Sequence, residues 1–213
     1  MKPNVEICVL SKAMKTIFAS LIALTLAASA FAVEVGKPAP DFTGTDINGK
    51  TVKLSDYKGK IVVIESYNSD CPFDLNHYQT GSMQGLQKDY AAKGVVWLLV
   101  NSVDPSNPHH RTPDAAKKEV ADLKINATAW LDDSAGTIGH LYDMKNTPQM
   151  FIVNQDGKLA YNGAIDDKPD ADHDPKTAKN YVRAALDEII AGKAVTTPET
   201  KPYGCSVKYA GVK

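Results

Sequence analysis

The sequence predicts an α/β fold in which a central mixed sheet is flanked by helices. Two continuous apolar runs, at residues 61–64 and 95–100, have the composition of strands that are covered on both faces. Segments with helical spacing of apolar residues alternate with these strands, which indicates parallel central strands joined by right-handed crossovers. Asp156-Gly157 separates two late strand-like segments and predicts a hairpin that adds antiparallel edge strands.

The elements are expected in a regular order from residue 41 onwards. Asn48-Gly49 is a strong hairpin-turn signal within residues 41–54, and Thr112-Pro113 places a helix N-cap residue before a proline. The apolar pattern predicts strands at 61–67, 95–100, 127–131, 149–153 and 158–163, and helices at about 71–92, 112–123, 136–142 and 177–191. The remaining residues, 195–213, form a Thr- and Pro-containing tail.

The first 32 residues have the pattern of a signal peptide. Met14, a candidate start site, and Lys15 precede a mostly apolar run at 16–29, and Ala-Phe-Ala at 30–32 matches a cleavage site. The competing interpretation is a retained N-terminal anchor. We therefore expect a removed segment at 1–32, a single domain at 33–194 and a tail at 195–213, in a protein secreted to the periplasm.

Charge and cysteine content narrow the classes of partner. The formal net charge is −1, so the chain has no excess of basic side chains. This charge does not favour binding to nucleic acid, nor binding to an anionic membrane after the signal peptide is cleaved. Of the three cysteines, Cys8 lies in the segment expected to be removed, which leaves Cys71 and Cys205. In an oxidising compartment this pair can form a disulfide, a redox pair, or both.

Cys71 lies where the strand 61–67 is expected to give way to a helix that opens with Pro72. Backbone N–H groups and the helix dipole at such a position stabilise a thiolate, which is the nucleophilic form of cysteine. Asp70 and Asp74 oppose this effect if both are charged, although Asp74 can instead accept hydrogen bonds from helix N–H groups or relay a proton. An inert buried cysteine is the competing interpretation.

A strand that ends at a Cys-Pro helix start, with Thr147-Pro148 before a later hairpin, resembles the thioredoxin-like superfamily. Residues 35–42 (VGKPAPDF) and 54–60 (LSDYKGK) are similar to its redoxin branch, which contains the alkyl hydroperoxide reductase/thiol-specific antioxidant proteins. Residues 163–167 and 201–208 are similar to a peroxiredoxin-like subgroup. The resemblance implies a reactive cysteine at position 71 and a cis Thr147–Pro148 peptide whose backbone faces Cys71 and pairs with an extended substrate.

Two departures from these families limit the activity that the resemblance implies. Thioredoxins use Cys-x-x-Cys, but here Asp74 occupies the position of the second, resolving cysteine. Peroxiredoxins use Pro-x-x-x-Thr-x-x-Cys to bind peroxide, and here Ile64 and Asn68 occupy the matching positions. The chain therefore resembles a single-cysteine variant of the thioredoxin site, in which Asn68 is a candidate for orienting Cys71.

Cys205 is the candidate partner for Cys71. A distant thiol can resolve a mixed disulfide or a sulfenic acid formed on the first cysteine. Alternatively, Cys71 and Cys205 form a structural disulfide, which closes a loop of about 130 residues and stabilises the fold by about 5 kcal/mol in the entropy model.

The histidines and acidic residues carry weaker signals. His77 lies almost two turns after Cys71, and His109-His110 belong to a polar loop. The acidic loop at 166–175 contains His173 but lacks the spaced acidic pattern of a calcium-binding loop, so a solvated loop is expected. We therefore predict no metal site and no cofactor.

The sequence thus predicts a thiol-dependent oxidoreductase that acts as a disulfide reductase or isomerase, or as a weak peroxidase. The site residues are Cys71, Cys205, Thr147, Pro148, Asp74 and Asn68. The expected partners are protein or small-molecule thiols and disulfides, peroxides, and an electron donor that the sequence does not identify. The alternatives are a copper-binding, chaperone-like protein that uses Cys71, a histidine and Cys205, and a non-catalytic domain with a structural disulfide.

Overall fold

The computed structural model describes residues 33–211 of the 213-residue chain. The predicted signal peptide, residues 1–32, lies outside the described residues. Among the residues that are described, no helix has both the length and the apolar character needed to cross a membrane.

Seven strands form one mixed sheet: β1 (Thr43–Asp46), β2 (Thr51–Lys53), β3 (Val62–Ser66), β4 (Val96–Asn101), β5 (Ala129–Asp132) and, after the short β6 (Asn146–Thr147) that lies outside this sheet, β7 (Gln149–Val153) and β8 (Leu159–Gly163). Their order is β2-β1-β5-β4-β3-β7-β8. The inner strands β3, β4 and β5 are parallel, whereas the other neighbours pair in antiparallel register. The predicted α/β class, the parallel centre and both hairpins are confirmed.

Apolar side chains cover both faces of the inner strands. Along β3, Val63 belongs to one buried cluster, and Val62 and Ile64 belong to the other. Burying each such side chain contributes about 1.5–3 kcal/mol, which explains why these strands are apolar at every position rather than at alternate ones. Besides the strands, four helices contribute side chains to the first cluster, whereas one short helix and part of the tail contribute side chains to the second.

The described helices are α1 (Pro72–Gln79), α2 (Ser82–Ala91), α3 (Pro113–Asp122), α4 (Thr137–Leu141) and α5 (Tyr181–Ile190). The prediction of one helix over residues 71–92 is wrong, because the helix is interrupted at Thr80 and Gly81. Gly81 has a φ of +74°, a left-handed conformation that glycine adopts readily and that ends α1 before α2 begins. Helix α5 also begins later than predicted, since the Asn180 side chain caps it by accepting the Arg183 N–H at 2.7 Å.

The C-terminal tail follows the edge of the sheet and then crosses to the start of α1. The Thr200 N–H donates to the Asn162 carbonyl at 3.2 Å, and the Thr200 hydroxyl accepts the Ala164 N–H at 2.8 Å. Further on, β9 (Cys205–Ser206) pairs with β6 (Asn146–Thr147) as a separate two-stranded sheet. The tail therefore reaches the region of Cys71 along a defined path.

Candidate active site

Cys71 lies at the N-terminus of α1, directly after the loop that follows β3. It is the N-cap residue of the helix, and Pro72 is the first helical residue. Its side chain is 1% exposed, and its thiol donates a hydrogen bond to the Thr147 carbonyl oxygen at 2.9 Å. The sulfur is therefore held between the positive end of a helix and the loop before β7.

The Thr147–Pro148 peptide bond is cis, as the family resemblance implied. Thr147 ends β6 and lies opposite Cys205 in the antiparallel pair of β6 and β9. The Asn146 side-chain amide also donates to the Gly204 carbonyl at 3.1 Å. The tail thus occupies the backbone edge that the resemblance assigns to an extended substrate.

Gly204 permits this close approach of the tail. Its φ is +122°, and a Cβ atom at this position would lie 2.1 Å from the Thr147 carbonyl oxygen. A side chain is excluded both by the backbone conformation and by the contact, so glycine is required immediately before Cys205.

Cys205 lies opposite Thr147, whose carbonyl oxygen accepts the Cys71 thiol, and both cysteines are free. Burial and the neighbouring Cys71 and Asp74 raise the pKa of the Cys205 thiol to about 12. Cys205 is therefore protonated at neutral pH, and the form of cysteine that attacks disulfides is the thiolate.

Asp74 is fully buried in the first turn of α1. Its Oδ2 atom accepts the Asn68 N–H at 2.9 Å, and its Oδ1 atom has no hydrogen-bond partner. Burial, followed by the nearby Cys71 and Glu65, raises the pKa of Asp74 well above its usual range. Of the alternatives open for Asp74, the structure shows a hydrogen bond from the loop rather than from a helix N–H group, and the raised pKa favours the protonated carboxyl.

Asn68 shapes the loop that leads to the cysteine. Its carbonyl oxygen accepts the Cys71 N–H at 2.9 Å, and its side chain accepts the Asp70 N–H at 3.0 Å. The Asn68 backbone also donates to Asp74, so one residue joins the two ends of the turn.

Glu65, on β3, is a buried carboxyl beneath this site. Trp97 Nε1 donates to one of its oxygens at 2.6 Å, and the Tyr78 hydroxyl donates to the other at 2.9 Å. Burial raises the pKa of Glu65 to about 7, although both hydrogen bonds oppose the shift. The sequence signal was a single acidic residue at the end of an apolar strand, which did not reveal its burial or its partners.

Arg111 contacts the loop before α1 although it is distant in sequence. Its guanidinium pairs with Asp70 at 2.7 Å and with Glu119 at 2.9 Å, and His109 pairs with the same Asp70 at 2.9 Å. Burial acts to raise the pKa of Asp70, but the hydrogen bonds from Arg111 and His109 outweigh it and lower that pKa. Asp70 is therefore a paired carboxylate, and no sequence pattern linked it to Arg111.

His77, further along α1, forms a separate group with Asp166 and His173 of the acidic loop that precedes α5. Their ligand atoms all fall within 4.8 Å of one another, which is close enough to surround one metal ion. The prediction of a solvated loop is wrong for Asp166, whose exposure is 1%.

The chain is similar to known proteins over most of its length. Residues 35–162 match the AhpC/TSA family model, which ends before Cys205. The chain is 31% identical over 130 residues to the thiol-disulfide oxidoreductase ResA of Bacillus thuringiensis subsp. konkukian, a match that covers 60% of this chain and 68% of ResA.

Two solved structures extend the similarity to about 85% of the chain. An uncharacterized conserved protein from Geobacillus kaustophilus has a TM-score of 0.72 at 29% identity, and the match covers 86% of this chain and 96% of that one. A hypothetical protein from Sinorhizobium meliloti 1021 shares the fold, with a TM-score of 0.73 at 24% identity over 85% of this chain and 97% of that one. This chain belongs to the AhpC/TSA family of thioredoxin-like redoxins, to which thiol-disulfide oxidoreductases are related.

Proposed function

We propose that this chain is a secreted thiol-disulfide oxidoreductase in which Cys71 attacks the substrate and Cys205 resolves the adduct. The observation that carries the proposal is that Cys205 lies opposite Thr147 in the β6–β9 pair, while the Cys71 thiol donates to the Thr147 carbonyl oxygen. The similarity to ResA supports the reaction class. The signal-peptide pattern of residues 1–32 supports secretion.

The proposed reaction proceeds by two thiol-disulfide exchanges. The Cys71 thiolate attacks one sulfur of a substrate disulfide, forming a mixed disulfide and releasing the other sulfur as a thiolate that takes up a proton. Cys205 then loses its proton and attacks the Cys71 sulfur, which releases the second substrate thiol and leaves a Cys71–Cys205 disulfide. Two electrons pass from the protein to the substrate, and an external dithiol returns them.

The buried Asp74 is suited to serve the second exchange. Cys205 must lose a proton before it attacks, and its thiol pKa of about 12 leaves little thiolate at neutral pH. Asp74 carries an oxygen without a hydrogen-bond partner, and its negative charge contributes to the raised pKa of Cys205. The raised pKa keeps much of Asp74 neutral but makes its ionised fraction a stronger base, and we assign the Cys205 proton to that fraction.

The test counts the thiolates released from an aromatic disulfide probe, dithionitrobenzoate, in a Cys8→Ser background. We expect the reduced protein to release two coloured thiolates per chain and to finish with a Cys71–Cys205 disulfide. Cys205→Ser should release one and retain a stable adduct on Cys71, which mass spectrometry identifies. Cys71→Ser keeps only the Cys205 thiol and can release at most one thiolate; if it releases that thiolate as fast as Cys205→Ser does, the assignment of Cys71 is wrong.

A second measurement separates turnover from a permanent structural disulfide. Equilibration with dithiothreitol buffers gives the reduction potential of the Cys71–Cys205 pair. A potential above about −300 mV supports a disulfide that is formed and reduced in each cycle, whereas a lower one indicates a structural disulfide.

A further inference from the structure

We propose that His77, Asp166 and His173 form a binding site for a first-row divalent metal ion, with Zn²⁺ as the best fit. Neither Cys71 nor Cys205 belongs to this group, and the proposal does not depend on the proposed oxidoreductase activity. The site is built from α1 and from the acidic loop that precedes α5.

His77 supplies the observation that requires a ligand. Its side chain is fully buried, and neither of its ring nitrogens has a hydrogen-bond partner. Burying a polar group without a partner costs about 1–3 kcal/mol, and a metal ion bound to one ring nitrogen would supply the missing partner. Its Nε2 atom lies 3.8 Å from Asp166 Oδ2, which is too far for a hydrogen bond but suits two ligands of one ion.

His173 presents a second nitrogen to the same carboxylate oxygen. Its Nδ1 atom lies against the Asp170 carbonyl oxygen, which accepts only from an N–H group, so the proton of the neutral ring is on Nδ1. The lone pair of Nε2 then points at Asp166 Oδ2, 3.0 Å away. Two electron-pair donors facing each other at this distance need a cation or an extra proton between them.

Asp166 is oriented as metal-binding carboxylates are. Its Oδ1 atom accepts the Tyr203 hydroxyl at 2.5 Å and the Lys168 N–H at 3.0 Å, which leaves Oδ2 for the two histidines. Such outer hydrogen bonds fix the direction of a ligand before the ion arrives. The Asp170 carbonyl plays the same part for His173.

The donor set and its size select the class of metal. In a tetrahedral zinc site, bonds of about 2.0–2.1 Å place neighbouring ligand atoms about 3.4 Å apart. Asp166 Oδ2 lies 3.0 Å from His173 Nε2 and 3.8 Å from His77 Nε2, on either side of this value. Two imidazole nitrogens with one carboxylate oxygen suit Zn²⁺, Co²⁺, Ni²⁺ or Cu²⁺, whereas Ca²⁺ requires six or more oxygen ligands.

The same carboxylate also contacts the tail. Tyr203, which donates to Asp166, precedes Cys205 by two residues, and its ring packs against Phe73 of α1 with centroids 5.8 Å apart. A metal ion on Oδ2 would therefore hold the acidic loop, α1 and the tail to one centre.

The test is titration of a Cys71→Ser, Cys205→Ser double variant of the full chain with Zn²⁺ against a chromogenic chelator, so that neither of these thiols contributes. We expect one ion per chain and a rise in melting temperature. His77→Gln and His173→Gln should each weaken binding at least about tenfold. The control is His109→Gln, which removes a histidine that also pairs with an aspartate but lies outside the cluster, and it should leave the affinity unchanged.

Cobalt provides a readout that does not rely on a stability change. Co²⁺ bound at the site should give the visible absorption of a four-coordinate ion, and His173→Gln should abolish that absorption. His173 lies on a loop and its side chain is 9% exposed, so this substitution disturbs the fold less than one within α1 does. The proposal is overturned if the double variant binds no stoichiometric Zn²⁺, or if both His77→Gln and His173→Gln bind it as tightly as their parent. Equal loss of affinity in His109→Gln would likewise overturn it.

Discussion

Replacing Gly204 by alanine should uncover Cys71 without removing either thiol. The new Cβ would lie 2.1 Å from the Thr147 carbonyl oxygen, so β9 must separate from β6. In addition, a non-glycine residue at a φ of +122° carries a backbone cost of about 1–3 kcal/mol. Since 1.4 kcal/mol corresponds to a factor of ten, the population with a displaced tail should rise about 5- to 150-fold from strain alone.

The assay is the rate at which iodoacetamide alkylates Cys71, measured by mass spectrometry of the peptide that contains it. In the parent protein Cys71 is 1% exposed and reacts only when the tail opens locally. We therefore expect Gly204→Ala to increase the alkylation rate at Cys71 by at least about fivefold, in line with the strain cost.

The matched control is Gly192→Ala. Gly192 also has a positive φ, +70°, but a Cβ there meets no atom within 4 Å, so the strain is present without the clash. Cys71 in the Gly192→Ala variant should be alkylated at nearly the same rate as in the parent protein. If Gly204→Ala keeps a native circular dichroism spectrum and Cys71 is alkylated no faster than in Gly192→Ala, then the tail does not cover Cys71.

Three further predictions concern the buried groups around the site. The pKa of Glu65 is raised to about 7 from an ordinary 4.5, so its contribution to stability is present below pH 4.5 and is lost as pH rises to 7, by at most about 3 kcal/mol. The difference in unfolding free energy between the parent and Glu65→Gln, measured in urea across this range, should change accordingly, and a constant difference would contradict the assignment. Thr200→Val leaves the Ala164 N–H without an acceptor and should cost about 1–3 kcal/mol in urea unfolding, whereas Thr196→Val, at an exposed position, should stay within about 0.5 kcal/mol. Asp74→Asn should leave stability within about 1 kcal/mol, since the raised pKa favours the neutral carboxyl, but should slow release of the second thiolate and make its rate rise steadily with pH, following ionisation of the Cys205 thiol; an unchanged pH profile would exclude Asp74 as the base.

Much of the fold was predictable because its signals are local. The apolar runs at 61–64 and 95–100, the turn at Asn48-Gly49 and the N-cap at Thr112 each act within a few residues, and each element is present in the structure. The exception was the helix predicted over 71–92. Its apolar spacing continues through residue 81, but the left-handed conformation of Gly81 divides it into α1 and α2.

The candidate site was predictable only in part. Local sequence signals showed that Cys71 begins a helix after an inner strand, that Asp74 stands where thioredoxins have a second cysteine, and that Cys205 is the other thiol after residue 32. They could not say whether Cys205 reaches Cys71, because contacts between residues so far apart depend on how the whole chain packs.

These contacts become visible once the whole chain is folded. The tertiary structure places Gly204 against Thr147 so that Cys205 lies beside Cys71, and it buries His77 against Asp166 and His173. Both arrangements join α1 to segments that follow it by at least 70 residues, so no local spacing encodes them. Side-chain chemistry sets the reactions that each residue can take part in, whereas backbone pairing and burial decide which residues come into contact.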